Sequence, residues 1–348
     1  MKSVQIVVIC DVLDNFGDAG FCLRISRRLC AEQHTVTLIH NNSEALFTLL
    51  GDESIERLTI VHTESEELPK SLPADVALIL HPFGSSEASA NISNTIEQLK
   101  KAYSQSPWFV VDYLSAEQWV EDFHWTQSIS PSTGHKSTYV YPGFSRKTGG
   151  LIYADWREIE PPTTEIANGF QRIFIFCYTP ERISELMKVA DQNVHFFSVH
   201  TLSQIEETDS TDHTTLAFCP QYQFDERLAA HDFLFIRGED SFVRAQLSGR
   251  PFVWQIYPTG DGAHEEKLTA FFNLYGANLS SEARHAMWSL WLNWNGLDQT
   301  ESLAKTWNGV QQHYAELASN AMHWRRTLMK GPELVREILT HVSPSTPT

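Results

Sequence analysis

No stretch of about 18 apolar residues occurs anywhere in the chain, so no segment reads as a membrane-spanning helix. The apolar run near the N-terminus, Val4 to Cys10, is too short for a secretory leader and has the length of a buried strand. Positive charge is scarce, with 26 Lys and Arg against 43 Asp and Glu and a formal charge of −17. Such a surface has no general attraction to a phosphate backbone, which argues against a nucleic-acid partner and leaves room only for a local basic groove around a small anion. Cysteine is sparse and odd in number: Cys10, Cys22, Cys30, Cys177 and Cys219 are scattered, mostly among apolar neighbours. They read as reduced core thiols of a cytoplasmic protein, not as a disulfide framework or a zinc site. Neither G-x-G-x-x-G nor a Walker A loop is present, which argues against dinucleotide and P-loop enzymes. H-E-x-x-H, a triad-like arrangement of the histidines and a G-x-S-x-G elbow are missing as well. No internal repeat and no low-complexity tract interrupts the chain.

What is there is a globular composition, 42% hydrophobic and 20% charged, over 348 residues, a length comfortable for two domains. Strand-like runs alternate with helical patterns. Val4–Cys10, Thr35–His40, Leu58–His62, Val76–Leu80 and Trp108–Asp112 read as strands, and Phe21–Glu32 and Ala88–Tyr103 as helices. Ser115 to Gln118, "SAEQ", has the form of a capping box opening a further helix. Between Ser128 and Gly150 the composition shifts to Ser, Thr, Pro and Gly, and the stretch 159–169 is polar too. The inter-domain connection is expected there, giving domains 1–150 and 151–348, with the final helix able to pack back on the first. The alternation then restarts with strands at Arg172–Tyr178, Val194–Val199, Thr215–Phe218, Phe233–Ile236 and Pro251–Trp254, a helix begun at Pro180, and helices after His264. Two consecutive β/α domains predict parallel sheets with a ligand at the carboxyl ends of their strands.

The candidate chemistry lies on those strand ends. "DVLDNFGD" follows the first strand and carries Asp11, Asp14 and Asp18. Gly17 and Gly20 suit a tight turn, while Asp18 is also a natural helix cap. "FLFIRGEDSFVRAQLSGRPFVW" is a strand, a turn of Arg237, Gly238, Glu239, Asp240 and Ser241, and a helix from Phe242. A helix N-terminus offers free N–H groups and positive potential, which suits a diphosphate. Arg237 adds a charge-assisted contact, Arg244 adds charge one turn further on, and Glu239 can accept from ribose hydroxyls. "WQIYPTGDGAHEEK" contains Asp261, His264 and Glu265, whose spacing fits a loop running into a helix better than a metal site. In "FIFCYTP", Phe176 and Tyr178 alternate around Cys177 and so share one face. Trp288, Trp291 and Trp294 fall three apart and read as a core stripe.

Taken together, "DVLDNFGDAGFCLRISRRL", "HPFGSSE", "DYLSAEQWVEDFH", "YPGFSRKTGGL", "FCYTP" and "IRGEDSFVRAQLSGRPFVWQIYPTGDGAHEEKL" resemble the protein-arginine rhamnosyltransferases of the EarP type, from about Ile6 to Phe272. The resemblance implies an α/β chain of GT-B type, two Rossmann-like β/α/β domains facing a central cleft. It implies an inverting transfer of L-rhamnose from dTDP-β-L-rhamnose to an arginine of translation elongation factor P, with no metal or other cofactor. Matched by motif, Asp14 and Asp18 take the catalytic positions, with Glu239 beside them in the catalytic set. Asp14, Asn15, Phe16, Gly17 and Asp18 form the acceptor-binding loop. Phe176, Tyr178, Arg237, Glu239, Asp240, Ser241, Gln255 and Tyr257 line the nucleotide-sugar site. Two other functions fit the same fold, a sugar-nucleotide epimerase or hydrolase and a non-catalytic nucleotide-sugar binding protein. Donor turnover without acceptor separates the first from a transferase, and an active Asp18→Asn chain would favour the second.

Overall fold

The computed structural model describes residues 3–13, 15–63, 68, 72–84, 90–130, 134–157, 159, 166, 169–190, 193–199, 212–260 and 262–342. In chain order the elements begin with β1 (Gln5–Cys10), α1 (Asn15–Ala31), β2 (Thr35–His40), α2 (Ser43–Leu50), β3 (Leu58–His62) and β4 (Leu78–Pro82). They continue with α3 (Ala90–Ala102), β5 (Trp108–Val111), α4 (Trp119–Phe123), β6 (Gln127–Ile129) and β7 (Lys136–Val140). Then follow β8 (Gln171–Ile175), α5 (Glu181–Val189), β9 (Val194–Ser198), β10 (His213–Thr215), α6 (Gln221–Ala229), β11 (Phe233–Arg237), α7 (Asp240–Ser248) and β12 (Phe252–Gln255). Five helices close the chain: α8 (Ala263–Tyr275), α9 (Ser281–Trp294), α10 (Leu303–Gln312), α11 (Tyr314–Leu328) and α12 (Leu334–Val342).

The chain forms two compact units, Met1–Asp155 with Gly331–Thr348, and Trp156–Lys330. Among the described residues the first holds a seven-stranded sheet in the order β3-β2-β1-β4-β5-β7-β6. All its pairs are parallel except β6 with β7. Its inner strands β1, β4 and β5 are almost continuous apolar runs because both faces of the sheet are covered there. Ile6, Val8 and Cys10 point to one core and Val7 and Ile9 to the other. Among the described residues the second unit holds five parallel strands in the order β10-β9-β8-β11-β12. In both sheets the order reverses beside the first strand of the unit, between β1 and β4 and between β8 and β11. Such a reversal leaves a crevice outside the carboxyl ends, where open α/β sheets take their ligands.

Several boundaries differ from the sequence reading. The units divide between Asp155 and Trp156, between the two polar stretches expected to connect the domains, and the first of those stretches carries the paired strands β6 and β7. In line with the expectation that the final helix packs back on the first domain, residues 331–342 belong to the first unit, where Leu334, Val335, Ile338 and Leu339 join its core. Gly150 makes this possible: its φ is +72°, and a Cβ there would stand 1.9 Å from the Pro332 carbonyl oxygen. Arg28 Nε donates to Glu333 Oε1 at 3.2 Å, an ion pair across 305 positions of sequence. Burial raises the Glu333 carboxyl above its ordinary range, with Arg28 opposing. The capping box at Ser115 does not form. Ser115 Oγ accepts from Glu117 N–H at 3.1 Å, and α4 starts only at Trp119. The strand expected at Thr215–Phe218 lies earlier, at His213–Thr215, where it pairs with β9. The Trp stripe is core: Trp291 and Trp294 are buried, and Trp288 packs on Phe272 at 4.7 Å between ring centres.

Candidate active site

In the first unit the aspartate loop leaves the carboxyl end of β1, beside β4. The helix begins at Asn15, six residues earlier than its apolar spacing indicates, so Gly17 and Gly20 lie inside α1 instead of forming the turn. Asp14 lies outside the described residues, and of Asn15 only the backbone is described. Asp18 sits in the first turn of α1, is 4% exposed, and accepts from Leu13 N–H through Oδ2 at 2.9 Å. That bond closes the helix start, and the positive end of α1 favours a carboxylate there. The capping role expected of Asp18 is thus met by this bond. Phe16 is partly exposed beside it, as is Gly17.

A second residue group steadies the loop and was not singled out in the sequence. Asn41, which follows β2, accepts Val12 N–H at 2.9 Å and donates to Asp11 Oδ1 at 2.6 Å. Near them burial drives the Cys22 thiol well above its ordinary value, with Cys10, Asp18 and Asp11 adding to the effect. An aromatic row runs from Phe21 to Phe83 at 5.2 Å and on to Tyr113 at 4.4 Å. It lies beyond β4 and β5.

In the second unit the donor candidates converge at the reversal between β8 and β11. β8 ends at Ile175, so Phe176 and Tyr178 stand just past the strand, tied there by Phe176 N–H to Phe235 O at 2.8 Å. The Arg237 guanidinium carbon is 4.5 Å from the Phe176 ring centre and 4.6 Å from that of Tyr178. Gln255 is opposite Arg237 in the β11–β12 pair. Its Oε1 accepts Tyr178 N–H at 2.6 Å and its Nε2 donates to Thr179 Oγ1 at 2.8 Å. Tyr257 meets Tyr178 edge-on at 5.7 Å and is 59% exposed. The intervening Cys177 faces away into the core, where burial pushes its thiol up to about 12.

The turn after β11 is tighter than the sequence indicates. Asp240 and Ser241 are already helical, and Gly238 makes the bend at φ +70°. A Cβ on Gly238 would contact the Tyr178 hydroxyl at 3.5 Å, and Trp254 Nε1 donates to the Gly238 carbonyl at 2.8 Å. Ser241 Oγ turns back to the Arg237 carbonyl. Glu239 is the N-cap of α7 yet makes no side-chain capping bond. It pairs instead with Lys267 Nζ on α8, 3.3 Å from Oε2. Asp240 Oδ2 lies 3.4 Å from the buried Gln221 amide. The N-terminus of α7 is thus presented without a carboxylate cap from Glu239, which is the geometry of an anion site. Arg244 does not contribute to it. The residue is fully buried, forms a bidentate pair with Asp225 and stacks over Trp156 at 5.3 Å. The sequence also left out Thr179, Gln221 and Lys267. Only Lys267 carried a signal, as the one cation in "GAHEEK".

Asp261 lies outside the described residues, and His264 bonds to Thr259, with Thr259 N–H to Nδ1 at 3.2 Å. Among the described residues no group of three or more His, Cys, Asp or Glu is arranged to hold a metal ion. Among them, too, no helix is long and apolar enough to cross a membrane.

The family model for the Elongation-Factor P (EF-P) rhamnosyltransferase EarP matches residues 6–343. The chain belongs to the EarP family. A protein-arginine rhamnosyltransferase of Neisseria meningitidis is 30% identical to it, over 97% of this chain and 96% of that protein. That of Pseudomonas putida is 29% identical, over 95% and 97%. Among solved structures, one of EarP, concerned with arginine glycosylation of translation elongation factor EF-P, superposes with a TM-score of 0.60 at 23% identity. It covers 99% of this chain and 100% of that one. Arabidopsis thaliana UGT89C1 in complex with quercetin gives 0.61 at 12%, covering 98% and 100%. The calicheamicin glycosyltransferase CalG4 gives 0.52 at 12%, covering both chains fully. The fold is GT-B, two Rossmann-like α/β units, and the chain is a glycosyltransferase enzyme.

Proposed function

We propose that the chain transfers L-rhamnose from dTDP-β-L-rhamnose, with inversion, to an arginine side chain of translation elongation factor P. The observation that carries this reading is the family match over residues 6–343, which spans the aspartate loop and the Arg237 cluster alike. The donor is taken by the second unit. Phe176, Tyr178 and Tyr257 offer aromatic surface for the base, Gln255 orders the Tyr178 backbone, and Glu239, held by Lys267, accepts from a sugar hydroxyl. Arg237 and the N-terminus of α7, from Asp240 and Ser241, meet the diphosphate and stabilise its charge as it departs.

The acceptor is taken by the aspartate loop, Asp14 to Asp18. A guanidinium has a pKa above about 12, so a carboxylate does not remove its proton in advance. The carboxylate instead orients the planar group, localises its charge and accepts the proton while the C–N bond forms. Asp18 takes the proton and Asp14 orients. The new bond forms on the anomeric face opposite the leaving diphosphate, which inverts the configuration. No metal enters this scheme. The reaction is assigned to the cytoplasm, in keeping with five buried free thiols.

Intact-mass analysis of elongation factor P incubated with the chain and dTDP-rhamnose tests the proposal. A gain of one deoxyhexose, mapped to an arginine peptide, is the expected result. An unmodified acceptor, or rapid donor hydrolysis in its place, would overturn it.

A further inference from the structure

We infer that Asn41 is a positioning residue for the Asp18 carboxylate, a role that rests on the proposed function. Asn41 follows β2, whose last residue, His40, lies opposite Cys10 at the end of β1. Its amide reaches across to the outgoing loop. Oδ1 accepts Val12 N–H at 2.9 Å, and Nδ2 donates to Asp11 Oδ1 at 2.6 Å. The next amide, Leu13 N–H, is the one that donates to Asp18 Oδ2 at 2.9 Å. Asp11, Val12 and Leu13 are thus held in succession, and the last of these bonds fixes the carboxylate proposed to receive the proton.

The local chemistry favours an amide at this position. Asp11 and Asp18 are 6% and 4% exposed, and a buried carboxylate is costly unless donors surround it. An amide carries its acceptor and its donor on separate atoms, so it serves the backbone and Asp11 at once. Asn42, the next residue, has the ordinary task of its type, capping α2 through Ala45 N–H at 3.0 Å. Asn41 is turned away from that helix toward a loop 29 and 30 positions earlier.

The titratable groups facing this corner are Cys10 on β1, Cys22 on α1 and His81 on β4. Burial moves Cys22 well up and His81 down to about 4, the latter helped by Lys100 and opposed by Asp11. Neither is charged at neutral pH. A carboxylate placed at 41 would face Asp11 oxygen to oxygen, with no donor between them. The added negative charge would raise the pH at which a nearby base is freed.

The test compares the full chain with Asn41→Asp, Asn41→Ala and the swap Asp11→Asn/Asn41→Asp, which restores a donor opposite an acceptor. Asn41→Asp is expected to lower kcat about 10²-fold, as a small misplacement does. Affinity for dTDP should not change, and the acid limb of the kcat profile should move to higher pH. The swap is expected to recover most of the rate and return the limb. In Asn41→Ala, hydrogen exchange at the Val12 and Leu13 amides should lose protection. An Asn41→Asp enzyme with unaltered kcat and acid limb would overturn the inference. So would a loss shared equally by dTDP binding and not recovered by the swap. If the unaltered chain transfers no sugar, the proposed function alone has failed, and exchange at Val12 and Leu13 decides the role of Asn41.

Discussion

Arg237 and Phe176, 61 positions apart in sequence, stand 4.5 Å apart from guanidinium carbon to ring centre. The contact exists because β8 and β11 are sheet neighbours, and it joins the strand end that offers aromatic surface to the one that offers positive charge. Arg237→Ala is expected to weaken dTDP binding by about 1.5–3 kcal/mol, the range for one hydrogen bond to a charged group. Arg237→Lys should recover little, because an ammonium does not reproduce a planar group against two rings. Calorimetry on both variants checks this, and an unchanged dissociation constant for Arg237→Ala would remove the residue from the donor site.

Asp18→Asn should keep the fold, since the amide oxygen can still accept Leu13 N–H. It should cost about 10²–10⁴-fold in transfer rate, the usual contribution of a general base, with dTDP affinity intact. Single-turnover transfer measured beside nucleotide titration separates the two. Near-normal turnover would assign the proton to Asp14.

Acid should weaken the fold above the range in which carboxylates protonate. Burial holds His81 down to about 4, and burial holds His40, His124 and His231 at about 4 as well. In the unfolded chain a histidine takes its proton near 6.5. The unfolded state therefore binds more protons as pH falls from 6.5 toward 4, and stability present above that window is lost within it. For His81 the loss amounts to about 2 kcal/mol between pH 7 and pH 5. Urea unfolding at the two pH values should show a smaller drop for His81→Gln than for the unaltered chain. Equal drops would mean that His81 already carries its proton when folded.

Chelation is expected to leave the reaction untouched. On the proposed function, the departing diphosphate would meet Arg237 and the α7 N-terminus, while Asp18 belongs to the other unit. Transfer rates with and without excess EDTA should agree. A loss restored by Mg²⁺ would reassign the acidic residues of the loop to a metal.

How much of this was legible depends on the range over which each feature is encoded. The apolar runs of β1, β5, β11 and β12 stand in the sequence, because a strand buried on both faces needs side chains of one kind along its length. The shared face of Phe176 and Tyr178 was equally readable, since alternation is a property of the backbone. The start of α1 was not. Its first turn is polar and carries glycine, and it is held by a bond from Leu13 to Asp18 that periodicity cannot reveal. Nor did composition locate the end of the first unit, because the Ser- and Gly-rich stretch after Gln127 pairs as a hairpin against β5.

By itself the sequence determined the two β/α halves, the loops that leave their strands and the family to which the chain belongs. Tertiary structure alone decided which ends meet. The strand orders β1-β4 and β8-β11 put each loop at a reversal of its sheet. The β1–β2 pairing lets Asn41 grip Asp11, the β8–β11 pairing brings Arg237 to Tyr178, and the packing of α6 on α7 turns Arg244 inward to Asp225. The physical reason is that hydrophobic periodicity states only that a segment is buried. A hydrogen bond or ion pair between distant residues is chosen by which strands lie side by side, and that choice belongs to the packed sheet as a whole.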